Sequence, residues 1–315
     1  MSSSLLRKIE SSRSIAVTGH IRPDGDCIGS CLGLRNYILD NYPGKTVRVY
    51  LGEASGKFAY LQGFDGICHD PEEMEAADLL VCLDASDRER LGAFAGLLDM
   101  CGDSWSGDHH ATHQDYTAET CLDADSSSAC EVLYEQLDPE KISRRTAECL
   151  YTGIVHDTGV FQYAATSPRT MEIAGRLMAC GIDHASIIGD SFFSRTWPQQ
   201  RIKGFALERS KLLLDGKFVW TMVTLEDMEA YGVNYMDLEG IVASLRETEG
   251  AEVALFLYQM SEKDYKISLR SDKTVDVSRI AAEFSGGGHI RAAGGSTEDP
   301  EKALERITEL VREQL

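Results

Sequence analysis

The chain has 315 residues, 43% of them hydrophobic, which suits two domains with ordinary cores. Its formal net charge of −20 repels long polyanions and argues against a protein that coats duplex DNA; small phosphorylated substrates stay open, because bound metal ions neutralise carboxylates locally. No window approaches the roughly 18 consecutive apolar residues of a membrane span, and the N-terminal residues do not read as a secretory signal.

In chain order, residues 5–13 read as a short amphipathic helix and Ser14–Thr18 as a first strand. Cys27–Leu39 reads as a helix, with Ile28, Cys31, Leu32, Leu34 and Ile38 near helical spacing. Pro43-Gly44 marks a turn before a second strand, Thr46–Leu51. Leu79-Leu80-Val81-Cys82-Leu83 is a continuous apolar run, as expected of a parallel strand buried on both faces. Residues 100–107 are polar and glycine-rich and support a strand only weakly. Ser128–Leu137 and Ser143–Val155 read as helices; Pro168 opens another and Gly181 closes it. Residues 183–214 keep a helical pattern, broken near Trp197-Pro198, and the domain boundary falls there.

Beyond it, Phe218–Val223, Glu252–Gln259 and Tyr265–Arg270 read as strands. Leu238–Thr248, Val277–Phe284 and Glu301–Gln314 read as helices. The expected architecture is α/β: an N-terminal, mostly parallel sheet flanked by helices over residues 1–187, a helical linker over 188–214, and a smaller C-terminal α/β domain over 215–315, with the active-site cleft between the two domains. The nine cysteines include no Cys-x-x-Cys and are expected to be reduced, core-type thiols of a cytoplasmic protein.

Four sets of residues stand out. His20, Asp24 and Asp26 follow the first strand, and Asp84 follows the apolar run. Asp108, His109 and His110 follow the polar stretch, and Asp157 ends a helix. Strand exits are where open α/β sheets place ligands. Carboxylates and imidazoles converging there can hold two divalent metals, which act together on phosphoryl groups. Pro23-Asp24-Gly25-Asp26 alone is an ordinary turn, and a lone Asp after a strand is commonly a cap; the four sets in this order outweigh those readings. In the C-terminal part, Gly286-Gly287-Gly288-His289 can bring backbone N–H groups close to an anion, and Arg270 offers a guanidinium fork.

These motifs resemble the DHH phosphoesterase superfamily. The resemblance rests on His20-x-x-Pro23-Asp24-x-Asp26 with Gly29-Ser30, on Leu83-Asp84-x-Ser86, on Asp108-His109-His110, and on Gly153 to Phe161 around Asp157. Gly286 to His289, with Ala292-Ala293-Gly294, resembles the glycine-rich signature of the DHH-associated domain. The length and C-terminus are most similar to the bifunctional oligoribonuclease/pAp phosphatases of the nanoRNase A type. The resemblance implies two divalent ions, in the first place Mn2+. One would be held by His20, Asp24 and Asp84, the other by Asp26, Asp84, His109 and Asp157. Asp84 would bridge both, and the water between the ions would be the nucleophile. Asp108 would orient a histidine, and His110 would face the scissile phosphate. Arg270, Ser271, Gly286, Gly287, Gly288 and His289 would contact the substrate.

The expected function is a manganese-dependent phosphoesterase that degrades very short RNA to mononucleotides and acts on pAp. Its partners would be short RNA or small nucleotides, with no long duplex and no membrane; a homodimer stays open. Three other functions stay open too: a linear or cyclic dinucleotide phosphodiesterase (pApA, pGpG, cyclic di-AMP), a manganese-type inorganic pyrophosphatase, and a non-catalytic nucleotide-binding module. His156, beside Asp157, is expected to be structural or to support a ligand.

Overall fold

A computed structural model of the chain describes residues 3–315; Met1 and Ser2 lie outside the described residues. The chain divides into two compact units between Ser194 and Arg195. Among the described residues no helix is long and apolar enough to cross a membrane.

The first unit runs α1 (Ser4–Ser11), β1 (Ser14–Thr18), α2 (Gly25–Asn41), β2 (Thr46–Tyr50), β3 (Ile67–Cys68), β4 (Leu79–Leu83), α3 (Leu97–Met100), β5 (Asp103–Asp108), β6 (Glu119–Leu122), α4 (Ala129–Gln136), α5 (Arg144–Asp157), α6 (Pro168–Ala179) and α7 (His184–Ser186), then a π-helical turn at Ile187–Phe193. Its six strands are ordered β3-β2-β1-β4-β5-β6, and every pairing is parallel. Strand order reverses between β1 and β4, so the loops leaving these two strands open beside each other at a topological switch point.

Both faces of this sheet are covered. Ile15 and Val17 of β1, with Leu79, Val81 and Leu83 of β4, pack into the core shared with α2, α4 and α5. Ala16, Leu80 and Cys82 point to the other side, against Leu91, Phe94 and Leu97. The apolar run of β4 is therefore buried on both faces, as its sequence predicts. Helices α2 and α5 cross where Gly29 and Gly153 leave no room for a side chain: a Cβ on Gly29 would lie 2.5 Å from the Cys149 carbonyl oxygen, and one on Gly153 2.6 Å from Asp26 Oδ1.

One sequence expectation is corrected here. The polar stretch that supports a strand only weakly forms β5, and its last four residues are buried. Its polar groups find local partners instead of water. Ser106 Oγ lies 2.8 Å from Thr117 Oγ1 and donates to Thr120 Oγ1, Trp105 Nε1 donates to Ser4 Oγ, and Ser104 Oγ accepts from the Ala118 N–H. Asp103 pairs with Lys8 of α1. A strand whose polarity is satisfied sideways carries no hydrophobic period to read.

The second unit contains α8 (Trp197–Glu208), β7 (Lys211–Leu213), β8 (Phe218–Val223), α9 (Leu225–Tyr231), α10 (Ile241–Arg246), β9 (Val253–Ser261), β10 (Asp264–Ser271), α11 (Val277–Ala282), β11 (Gly287–His289), β12 (Ala292–Thr297) and α12 (Pro300–Gln314). Its strand order is β11-β12-β10-β9-β8-β7, antiparallel throughout except β8 with β9. The stretch expected to be helical to Leu214 ends in strand β7, and Ile202 and Ala206 of α8 are fully buried in this unit's core. The nine cysteines are free thiols; Cys68, Cys101, Cys121 and Cys180 are only partly buried, so the core-type expectation holds for the other five.

Candidate metal centre and active site

The site forms at the carboxyl ends of β1, β4 and β5, and the local chain explains each side chain's position. After β1 the backbone turns through Arg22 at φ 58°, and the Ile21 N–H is pinned to the Arg90 carbonyl at 2.7 Å. His20 Nδ1 lies 2.8 Å from the Ile21 carbonyl oxygen, which only accepts, so Nδ1 carries the proton and Nε2 is left to face the site. Asp24 caps α2: its Oδ1 accepts the N–H groups of Asp26 at 3.0 Å and Cys27 at 3.2 Å. Asp26, the second residue of α2, is fully buried and accepts the N–H groups of Ala129 (2.6 Å) and Cys130 (2.9 Å). Those amides open α4, whose positive dipole end favours a carboxylate.

Asp84 leaves β4 at φ 56°, a left-handed conformation that costs a non-glycine residue about 1–2 kcal/mol. Strain of this kind concentrates where a side chain must be aimed. Its two oxygens face different histidines: Oδ2 lies 3.2 Å from His20 Nε2, and Oδ1 lies 3.6 Å from His109 Nε2. His20 Nε2 is also 3.7 Å from Asp24 Oδ1. His109 Nε2 is 3.2 Å from Asp157 Oδ2 and 3.9 Å from Asp26 Oδ2. The predicted ligands His20, Asp24, Asp26, Asp84, His109 and Asp157 thus come together, with Asp84 common to both halves.

His109 Nε2 is buried and makes no hydrogen bond, although three carboxylates surround it. A buried nitrogen in that setting is what a cation ligand looks like before the cation is added. The set of nitrogen and oxygen donors suits a divalent ion such as Mn2+ or Zn2+. Without a cation, the cluster retains protons. Burial and the neighbouring Asp84 charge push the Asp26 carboxyl up to about 7. Asp157 is driven far above the usual carboxylate range by burial and by Asp26, Asp24 and Asp84. Burial works to lower His109, but Asp84, Asp26 and Asp157 outweigh it and hold the imidazole at about 10.

These raised groups give the metal-free protein a pH signature. The folded form keeps protons that the unfolded chain has released, so stability present at low pH is lost as pH rises through the folded values. The metal-free Tm is expected to fall from about pH 5 to about pH 7, the window in which Asp26 titrates and unfolded carboxyls are already ionised. Mn2+ should remove that slope, because cations replace the protons. Calorimetry in chelator and in Mn2+ checks this; a metal-free Tm that climbs over the same window contradicts it.

Asp108, the last residue of β5, is fully buried, and one of its oxygens lies within 4.8 Å of ligand atoms of Asp84, His109 and His110. Its Oδ1 accepts the His109 N–H at 2.8 Å and lies 2.8 Å from His110 Nδ1. Its Oδ2 lies 2.6 Å from His113 Nδ1. Burial raises the Asp108 carboxyl, but the His110 and His113 contacts outweigh it and hold it down at about 2. His110 keeps a quarter of its side chain exposed and reaches within 3.7 Å of Asp84 Oδ1. Sequence reading missed His113, because the recognisable motif ends at His110; a third histidine three residues on was the available signal. His156 is placed structurally, with Nε2 3.1 Å from Ser191 Oγ and its ring between Phe58 and Phe192.

In the second unit, Arg270 pairs in register with Ala292, and Ala292 pairs with His289. Arg270 and His289 therefore flank one small residue on one face of the sheet. Ser271 points to the opposite, buried face, where its hydroxyl donates to the Val275 carbonyl at 2.6 Å. The glycines form a short edge strand instead of a loop. A Cβ on Gly286 would lie 2.0 Å from the Gly294 carbonyl oxygen and one on Gly288 2.5 Å from that of Ala292, whereas Gly287 faces open space. The Arg291 guanidinium is committed to the Lys273 and Val275 carbonyls.

Comparison with known proteins agrees with this geometry. Residues 14–154 match the DHH family, N-terminal domain, and residues 216–315 match the DHHA1 domain. The probable bifunctional oligoribonuclease and PAP phosphatase NrnA of Streptococcus mutans is 27% identical over 304 residues, covering 93% of this chain and 92% of that protein. The Thermus thermophilus bifunctional oligoribonuclease and PAP phosphatase NrnA is 28% identical over 305 residues, covering 96% and 90%. Among solved structures, an exopolyphosphatase-related protein from Bacteroides fragilis superposes with a TM-score of 0.91 at 27% identity, covering 98% of this chain and 94% of that one.

Proposed function

The chain belongs to the DHH phosphoesterase family, with a DHHA1 domain at its C-terminus, and from that premise we propose that it is a divalent-metal-dependent hydrolase of very short oligoribonucleotides that also converts pAp to AMP. The observation that carries this reading is Asp84, whose two carboxylate oxygens face two different histidines inside a cluster of four aspartates. The substrate class follows the relatives named for those two activities, which match nearly end to end.

His20, Asp24 and Asp84 would hold one cation, and Asp26, Asp84, His109 and Asp157 the other. When bound, two such ions neutralise the carboxylates, make water a nucleophile near neutral pH and draw charge from the phosphate oxygens. The chain's own groups do the rest. Asp108 fixes the His110 ring through Nδ1, so the opposite nitrogen, Nε2, is placed to hold or give a proton at the phosphate ester. Asp26 is kept from swinging by two backbone amides. Within the second unit, Arg270 and His289 share one face of the sheet and offer a guanidinium and an imidazole to a phosphate, and Ser271 supports them by holding the chain after β10.

A time course in Mn2+ tests the proposal, using a labelled dinucleotide, a five-nucleotide and a twenty-nucleotide RNA, pAp, cyclic di-AMP and pyrophosphate. The dinucleotide and five-mer should go to mononucleotides well before the twenty-mer, and pAp should yield AMP and phosphate. Turnover of pyrophosphate or cyclic di-AMP in preference to the dinucleotide would replace this reading. Binding without turnover would demote the protein to a nucleotide-binding module.

A further inference from the structure

We propose that His113 is a positioning residue for the hydrolysis, acting on His110 through the carboxylate of Asp108. The inference rests on the phosphoesterase reading above and deepens it. Asp108 is fully buried and spends both oxygens on histidines: Oδ1 on His110 Nδ1 at 2.8 Å and Oδ2 on His113 Nδ1 at 2.6 Å. The His109 N–H also donates to Oδ1 at 2.8 Å, so that oxygen is held from the backbone side while the carboxylate can still turn about it unless Oδ2 is held too. With Oδ2 held, Oδ1 has one direction in which to hold the His110 ring. Removing the His113 donor frees the carboxylate to turn, and the His110 ring turns with it.

The surroundings of His113 hold it in turn. Its side chain is 1% exposed. Its backbone N–H donates to the His110 carbonyl at 2.9 Å, and the next N–H, of Gln114, donates to the Ser86 carbonyl at 2.7 Å. Its ring lies 5.5 Å from that of Tyr116, whose hydroxyl donates to the Ala85 carbonyl at 2.9 Å, next to Asp84. The loop after β5 is thereby strapped to the loop after β4, with His113 between them.

A purely space-filling role does not account for the choice of histidine. Nε2 of His113 is buried with no hydrogen-bond partner, and an unpaired buried nitrogen costs stability. Leucine or phenylalanine would fill the space without that cost. What only a donor at the Nδ1 position supplies is the contact to Asp108 Oδ2.

Two substitutions separate the roles, since asparagine places its amide nitrogen near where histidine has Nδ1, and glutamine near where it has Nε2. His113→Asn and His113→Gln are to be measured for kcat and KM on a dinucleotide in Mn2+, each also in a His110→Ala background, with Tm recorded for all. A positioning role predicts that His113→Asn stays close to wild type while His113→Gln loses about tenfold to hundredfold in kcat at little changed KM. In the His110→Ala background the glutamine substitution should cause no further loss, because the group it positions is gone. Equal kcat for wild type and His113→Gln, better activity in Gln than in Asn, or the same fold-loss with and without His110 would overturn the inference. A wild-type enzyme inert on the dinucleotide would instead remove the functional reading on which it rests.

Discussion

Asp84→Asn is expected to leave the fold standing and to lower kcat on a dinucleotide by about 10^4-fold or more, as removing one member of a group that acts as a unit does. Asparagine is the informative choice because it tolerates the left-handed backbone at φ 56° and keeps the side chain's shape. The backbone N–H bond from Asp84 to the Gly107 carbonyl, 3.1 Å, is untouched. What disappears is the one carboxylate whose oxygens serve both His20 and His109. Calorimetry, metal titration and single-turnover kinetics read the parts separately. Turnover within tenfold of wild type, with two ions still bound, would refute the role of Asp84.

Much of this site is legible in the sequence because its aspartates follow elements with strong local signals. Leu79–Leu83 announces a buried parallel strand, so Asp84 falls at a strand exit without any structure. Asp24 is legible as a helix cap and as a candidate ligand; in the structure it caps α2, and its Oδ1 lies 3.7 Å from His20 Nε2. Asp108 is harder, because β5 satisfies Ser104, Trp105 and Ser106 through groups that lie far away in sequence or in and just before the next strand. His113 is harder still: its role depends on a carboxylate shared across three dimensions, and no spacing rule reports that. In the second unit the glycine run suggests an open loop, yet two of its glycines are required by the backbone of β12. Local pattern thus finds residues that follow from the chain's own periodicity. It loses those that depend on what the fold brings beside them.

The same distinction governs Gly25, which separates Asp24 from Asp26. It opens α2 with ordinary helical backbone, so nothing about its conformation demands glycine. Space does: a Cβ there would lie 2.3 Å from His156 Cγ and 2.6 Å from His156 Cβ. The histidine cannot step aside, with Phe58 at 5.0 Å and Phe192 at 5.4 Å edge-on to its ring and Ser191 on Nε2. The strain of Gly25→Ala must therefore go into the turn that aims Asp24 and Asp26. Overpacking of this kind costs about 1–3 kcal/mol of stability. A shift of about 1 Å in a reacting group costs about 100-fold in rate. Gly25→Ala is accordingly expected to lose about 100-fold in kcat while still folding below its lowered Tm. The second-site change His156→Gly removes all three side-chain atoms the new methyl meets, Cγ, Cβ and Cδ2. The double variant should recover much of kcat yet stay destabilised, because a glycine late in α5 costs about 1 kcal/mol and the ring leaves a cavity. Recovery of rate without recovery of Tm would place the defect in the aim of the two aspartates. A double variant no faster than Gly25→Ala would mean that His156 is not what the methyl strikes, and that the glycine serves the site in some other way.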